Sequence, residues 1–355
     1  MILDRVTVEA MVFGGGFLGG GGGGSMEEGR RMGLLALEVG SPRLIPIDSL
    51  SPDAILVTVS AVGAPGAAEK FVKPVDFVEA VEVLAGHLGS RIGGFISSEN
   101  GGISTANGLI QSAFLGIPLV DSPCNGRAHP TGIMGSMGLN RQPDFISQQA
   151  AIGGNPEKNR RISIYVEGPL SQADGLIRQA AVEAGGMIAV ARNPIPASFV
   201  RENGAPGAIS QAIELGQFII ADKSKPRLLA EKIGKRFSGG VITEGKVSSY
   251  QMETRGGYDV GRVEIGEFEL TFWNEYMTLE KKGERLATFP DLMVTLDAEE
   301  GFPLSSSEIT RDRRVIVIQV PRHNLILGAG MKEKANFRKV EEVLGKEVIR
   351  YLFQS

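Results

Sequence analysis

Apolar and polar residues follow two rhythms along this chain, and the rhythm changes near Gly239. Before that point, β-branched runs alternate with stretches whose apolar residues recur three and four apart. Residues 6–13, 55–62, 92–97 and 117–120 read as strands, and 74–88 and 104–115 as helices. A polar stretch over 142–159 suits a boundary. Beyond it come a strand at 162–166, a helix at 174–184, a strand at 187–191, and helices at 209–221 and 225–235. From Gly239 onward, 241–254, 258–265, 267–273, 286–289, 292–296 and 314–320 alternate apolar and polar residues between turn signals. That period of two predicts antiparallel strands with one covered face. An amphipathic helix over 333–353 closes the chain. The predicted class is therefore α/β, with an N-terminal α/β domain over 1–160 built on a mainly parallel sheet. A β-rich C-terminal domain over 161–355 follows, with an α/β start, antiparallel strands across 239–320 and flanking helices.

Between the first predicted strand and the next helix, nine of the eleven positions from Gly14 to Gly24 are glycine. Ser25 reads as the helix N-cap, with Glu27 and Glu28 in the first turn. A glycine loop between a strand and a helix N-terminus can turn backbone N–H groups toward an anion or a polar substrate edge. A tightly packed turn is the equal alternative. No Gly-Lys-Ser/Thr closes the loop, and Gly14-x-Gly16-x-x-Gly19 arises in any stretch this rich in glycine. The acid expected about 20 residues further on for dinucleotide binding has no good candidate.

Composition narrows the class. A formal charge of −4 argues against a nucleic-acid or anionic-membrane surface. No apolar stretch is long enough to span a bilayer, and the N-terminus lacks a signal-peptide pattern. The single cysteine excludes internal disulfides and suits a reducing compartment. A cytoplasmic, soluble homo-oligomer without nucleic-acid or membrane partners is expected.

The chemistry-bearing residues cluster in loops after predicted strands. Cys124 lies in the segment Asp121-Ser122-Pro123-Cys124-Asn125-Gly126-Arg127-Ala128-His129-Pro130, where Arg127 and His129 could favour a thiolate. A small buried hydrophobe is the alternative for a lone cysteine. His129 reads as a general base, a metal ligand or a structural histidine. Glu99 and Asp121 end neighbouring strands and could divide acid and base roles or share a metal, while Glu99 could instead cap the next helix. Arg127 could clamp a carboxylate or form a structural ion pair. A divalent metal such as zinc, held by Asp121, Cys124 or His129, is one option. HExxH, paired CxxC and Gly-x-Ser-x-Gly motifs are missing, which argues against zinc proteases, zinc ribbons and α/β-hydrolases.

Taken in order, these loops resemble the S-methyl thiohydantoin desulfurase-like family over nearly the whole chain. The matching pieces are Gly14 to Gly24, Gly63-Ala64-Pro65 with Glu69-Lys70, Glu99-Asn100-Gly101-Gly102, and the aspartate loop ending at Pro130. Asn274-Glu275, Pro290-Asp291-Leu292 and the stretch from Leu296-Asp297 to Gly301-Phe302-Pro303 follow in the same order. The chain departs from the family pattern at Pro123 and Cys124, where aspartate and glycine are usual. It departs again at His129, in place of an apolar aromatic, and at Thr131, in place of an acid. The resemblance implies hydrolytic desulfuration of a hydantoin-type ring, with a small cyclic amide as substrate. Glu99 and Asp121, together with Cys124 and His129 at two of the departing positions, are the catalytic candidates. Gly15, Gly16, Gly19, Asn100, Arg127 and Glu69 are the implied substrate-binding residues. Hydrolysis or isomerisation of another cyclic amide, or an accessory role beside a hydantoinase- or oxoprolinase-like partner, are the alternatives.

Overall fold

The structure, a computed structural model, describes residues 1–353. Its central sheet takes seven strands, β1 (Leu44–Ile45), β2 (Ile55–Gly63), β3 (Ile92–Ser97), β4 (Leu119–Val120), β5 (Ile146–Gly153), β6 (Ile162–Pro169) and β7 (Met187–Pro196). Their order is β1-β4-β3-β2-β7-β5-β6. The four N-terminal strands pair in parallel, whereas β7, β5 and β6 extend the sheet with antiparallel pairings. Strands from both sides of residue 160 thus share one sheet. Both faces are covered, as a parallel sheet requires. Val57, Val59 and Phe95 enter one core with Phe77 and Leu84, while Leu56, Ile96 and Val120 enter another.

Eight helices surround this sheet and lead into the second half. They are α1 (Arg5–Leu18), α2 (Met26–Val39), α3 (Pro74–Ala85), α4 (Leu109–Leu115), α5 (Leu170–Glu183), α6 (Ala197–Asn203), α7 (Ala208–Ala221) and α8 (Pro226–Arg236). The remaining strands are β8 (Gly240–Lys246), β9 (Ser249–Arg255), β10 (Tyr258–Ile265), β11 (Phe268–Trp273), β12 (Glu275–Lys281), β13 (Glu284–Thr288), β14 (Leu292–Asp297), β15 (Pro303–Leu304) and β16 (Arg314–Val320). They form two antiparallel sheets, β13-β12-β11-β10-β9 and β15-β14-β16-β8. Phe272, Tyr276, Phe289 and Phe337 dominate the core beneath them. The mixed α/β class, with a parallel N-terminal sheet and an antiparallel β-rich C-terminal part, agrees with the alternation read from the sequence.

Several elements differ from that reading. Residues 6–13 belong to α1, whose N-cap Asp4 accepts from the Thr7 backbone N–H at 2.8 Å. A short continuous apolar run suits a buried helix as well as a buried strand, and periodicity alone cannot separate them. Gly14, Gly15 and Gly16 continue the helix rather than forming a loop. They are required by close approach: a Cβ on Gly14 would lie 1.8 Å from the Ala212 carbonyl oxygen of α7. Reciprocally, a Cβ on Gly216 would lie 1.7 Å from the Ala10 oxygen. The two helices touch backbone to backbone.

The polar stretch 142–159 contains β5, and 241–254 splits into β8 and β9. Residues 275–281, to which the sequence pattern assigns no element, form β12. The closing helix over 333–353 is broken into a 3₁₀ turn and two short helices, Arg338–Leu344 and Ile349–Leu352. Gly345, at φ 63°, ends the first of them.

Candidate functional site

The loops after β2 and β3 meet the start of β7 and the Asn274–Glu275 corner around one cavity at the rim of the central sheet. It holds about 550 Å³, counting the part open to solvent. Ligands of α/β proteins commonly lie beyond the carboxyl ends of parallel strands, and this cavity occupies such a position.

Glu99 follows β3 and is 7 % exposed. Its Oε1 accepts from the Ser104 hydroxyl at 3.0 Å, and its Oε2 from the His129 backbone N–H at 3.0 Å. The His129 ring approaches the same oxygen, with Nε2 at 3.3 Å, and also lies 3.3 Å from the Ser98 carbonyl oxygen. Burial pushes the His129 pKa below the ordinary imidazole value, although the neighbouring Glu99 charge opposes that shift. His129 is therefore a neutral ring at neutral pH. Its Nε2–H donates toward Glu99 and Ser98.

Glu275 faces the cavity from the β-rich half and is 1 % exposed. Its Oε2 has no hydrogen-bond partner among the described residues. Burial first, and then the Glu99 charge, push its pKa well above the usual carboxylate range, against the pull of Arg127. Burial beside a second carboxyl group thus favours the protonated form of Glu275. Its side chain packs on Gly22, where a Cβ would come within 2.0 Å of Oε1. At Gly20, Gly21, Gly23 and Gly24, φ lies between 58° and 88°. The Gly20 and Gly23 oxygens accept from Tyr276 N–H and from the Ile103 and Ser104 N–H groups. The second half of the glycine run is a left-handed strap between β12 and the turn after Glu99. Gly23 and Gly24 line the cavity.

Two guanidinium groups complete the wall. Arg192 of β7 is held by Asp174 at 3.1 Å. Arg178 of α5 donates to the Gly257 oxygen at 2.9 Å and the Pro130 oxygen at 3.3 Å, and stacks on Tyr258 at 4.1 Å. Asn274 adopts φ 56°, and its side-chain oxygen accepts from the Asp259 backbone N–H at 2.9 Å. Asp259 also accepts from Gly66 N–H at 2.6 Å and the Thr254 hydroxyl at 2.6 Å. Asp259 thus holds the loop after β2 through its carboxylate and the Asn274–Glu275 corner through its backbone.

The other residues singled out in the sequence lie elsewhere. Asp121 caps α7, accepting from Ile209 N–H at 2.9 Å and Ser210 N–H at 3.2 Å. Cys124 is buried against the Thr58 hydroxyl at 3.4 Å, and burial pushes its pKa up to about 11. Asn100 is fully buried, and its amide donates to the Ala208 oxygen at 2.8 Å and the Gly126 oxygen at 3.2 Å. Arg127 is enclosed behind the cavity, donating to the Asp291 oxygen at 2.7 Å and the Pro290 oxygen at 3.2 Å, over the Phe289 ring at 4.4 Å. Burial lowers its pKa to about 10. Glu69 is exposed and pairs with Lys158 and Arg160. Gly15 abuts Gly101 and Thr105, Gly16 abuts Met26, and Gly19 abuts Gly22 and Gly101, all away from the cavity.

Of the expected set, Glu99 and His129 meet in the cavity. Glu275, Asn274, Arg178 and Arg192 join them without having been assigned from the sequence. Only Glu275 and Asn274 carried a signal, as an Asn-Glu pair inside the apolar stretch 270–279. Among the described residues no three His, Cys, Asp or Glu side chains are gathered to hold a metal ion. Asp121 and Cys124 are committed to partners of their own, so the set considered for a metal does not assemble. No helix of the described residues is long and apolar enough to cross a membrane.

Residues 6–150 match the N-terminal domain of the S-Me-THD-like family, and residues 169–330 match its C-terminal domain. No curated protein matches the sequence. Among solved structures, the crystal structure of a protein from Chromobacterium violaceum is similar with a TM-score of 0.70 at 19 % identity, covering 97 % of this chain and 96 % of that one. At that identity the likeness speaks for the fold alone.

Proposed function

This chain belongs to the S-Me-THD-like family, and on that premise we propose that it hydrolyses the C–S bond of an S-methyl thiohydantoin-like ring. The observation that carries the reading is the convergence of Glu99, His129 and Glu275 in one solvent-reaching cavity flanked by Arg178 and Arg192. A non-catalytic accessory subunit has no need of such convergence, and an enzyme does.

In this reading water adds to the amidine-like carbon of the ring. Glu99 takes one proton from the water and passes it to the ring nitrogen as the C=N bond becomes single. The C–S bond then breaks, and Glu275, held neutral by burial, donates its proton to the departing methanethiolate. The tetrahedral hydroxyl collapses to a carbonyl and returns a proton to Glu275. Water and the S-methylated ring become a hydantoin and methanethiol. Arg178 and Arg192 supply fixed positive charge where negative charge develops on the ring. His129, neutral and hydrogen-bonded to Glu99, orients the base. Asp121, Cys124, Asn100 and Arg127 hold the frame rather than touch the ring, and no step runs through a metal. We place the enzyme in the cytoplasm as a homo-oligomer.

The test is release of free thiol from a panel of S-methylated thiohydantoins. Glu99→Gln should lower kcat by about a hundredfold or more, the usual yield of a lost general base. Wild-type kcat in that variant, with the fold intact, would sink the assignment.

A further inference from the structure

A second cavity lies beside the first, and Ala61, Ile103 and Met187 line both. Those three side chains form a shared apolar border. Beyond it the walls are Met32 and Leu35 of α2, Phe71 and Val72 of the segment leading to α3, and Phe77 of α3. The space holds about 920 Å³, counting the part open to solvent. Glu28, Arg31 and Lys70 supply the charged part of the lining, with Lys70 pairing with Glu28 at 3.0 Å and donating to the Pro65 oxygen at 2.8 Å. Lys70 thereby ties the rim of this annex to the loop that borders the first cavity.

We propose that this annex is the specificity subsite for the ring's carbon-borne substituent, and that the substituent is bulky and apolar, an aromatic or branched aliphatic group. The inference rests on the ring-hydrolysis reading and supplies the substrate class that reading leaves open. A ring held among Glu99, His129 and Glu275 meets Ala61, Ile103 and Met187 on the side toward the second cavity. A substituent crossing Ile103 and Met187 meets apolar walls from three elements. Met32 and Met187, unbranched and adaptable, suit side groups of more than one shape. Charged or amide-bearing substituents would lose their hydration against Met32, Leu35, Phe71, Val72 and Phe77, which offer no hydrogen-bonding side chain.

The experiment compares rings carrying hydrogen, methyl, isobutyl or benzyl at the substituted carbon, in two arms. The first measures kcat/KM for thiol release from the S-methylated compounds. The second measures calorimetric binding of the corresponding hydantoins, which needs no turnover. Each buried methylene is worth about fourfold, so benzyl should exceed hydrogen by at least about thirtyfold in both arms. Met32→Asp should cut that benzyl-to-hydrogen ratio by about tenfold. Val72→Asp, outside any helix or strand, should do the same, and the ratio is internal to each variant. Equal affinity across the panel, or an unchanged ratio in both variants, overturns the annex and leaves the chemistry standing. Graded binding with no thiol release upholds the annex and overturns the chemistry. No binding by any member overturns both.

Discussion

Glu275 is a fully enclosed carboxyl group whose neighbours include another acid and a guanidinium with no free access to solvent. Its raised pKa has two consequences with definite signs. In the proposed role of proton donor it works only while protonated, so kcat should fall as pH climbs through that raised value, and Glu275→Gln should abolish the alkaline limb along with most of the rate. In stability the unfolded chain ionises this group first, near the ordinary value of 4.5. Its contribution is therefore complete below that pH and declines as pH rises toward the folded pKa. Chemical denaturation between pH 4 and 8 should show a shallower decline for Glu275→Gln, and identical slopes would contradict the burial argument. Cys124 makes the opposite kind of case. Its loop invites a nucleophile, but a thiol held at about 11 by burial is almost wholly protonated at neutral pH. Iodoacetamide should label it only as fast as the fold opens, with denaturant accelerating the reaction by orders of magnitude. Rapid labelling of the native protein would return it to candidacy.

At the level of elements, glycine has two unrelated uses in this chain. In α1 and α7 it lets backbones touch, so a side chain there has nowhere to go. Gly14→Val should cost more than about 3 kcal/mol, because the obstruction is a carbonyl oxygen rather than a mobile side chain. Gly175 in α5 faces open space, with nothing within 4 Å of an added Cβ. Gly175→Ala should therefore stabilise by roughly 0.5–1 kcal/mol, the helix-propensity difference alone. Melting temperatures moving in opposite directions in the two variants would support both accounts, and a tolerated Gly14→Val would refute the helix contact. The same elements mark the edge of what sequence conveyed. The strands at 55–62, 92–97 and 314–320 were legible because their apolar runs are bounded by turn residues. Residues 6–13 were misread because a buried helix and a buried strand share one composition. β12 was missed because Asn274-Glu275 has loop character although its neighbours are apolar.

For the molecule as a whole, the central sheet is closed by strands from the second half of the chain. β2 pairs along most of its length with β7, from Ile55 opposite Pro196 to Gly63 opposite Met187. A fragment ending at residue 160 would leave that edge of β2 without its partner and deprive the cavity of Arg178, Arg192, Asn274 and Glu275. Expressed alone, residues 1–160 should lack a cooperative thermal transition by circular dichroism. A sharp transition at the full-length temperature would show that the N-terminal strands need no such closure. The two carboxyl groups of the site, Glu99 and Glu275, likewise come from opposite halves of the chain, and Asp259 fastens the Asn274–Glu275 corner to the loop after β2.

By itself the sequence determined the α/β alternation, the change to antiparallel strands after Gly239, the family resemblance and two cavity residues, Glu99 and His129. Those features are local or ordered along the chain, so periodicity and motif spacing carry them. Only the tertiary structure decided that Glu275, Arg178 and Arg192 face those two residues while Asp121, Cys124 and Arg127 serve the frame. Burial and partnership are properties of what packs against a side chain, and no stretch of sequence holds its distant neighbours.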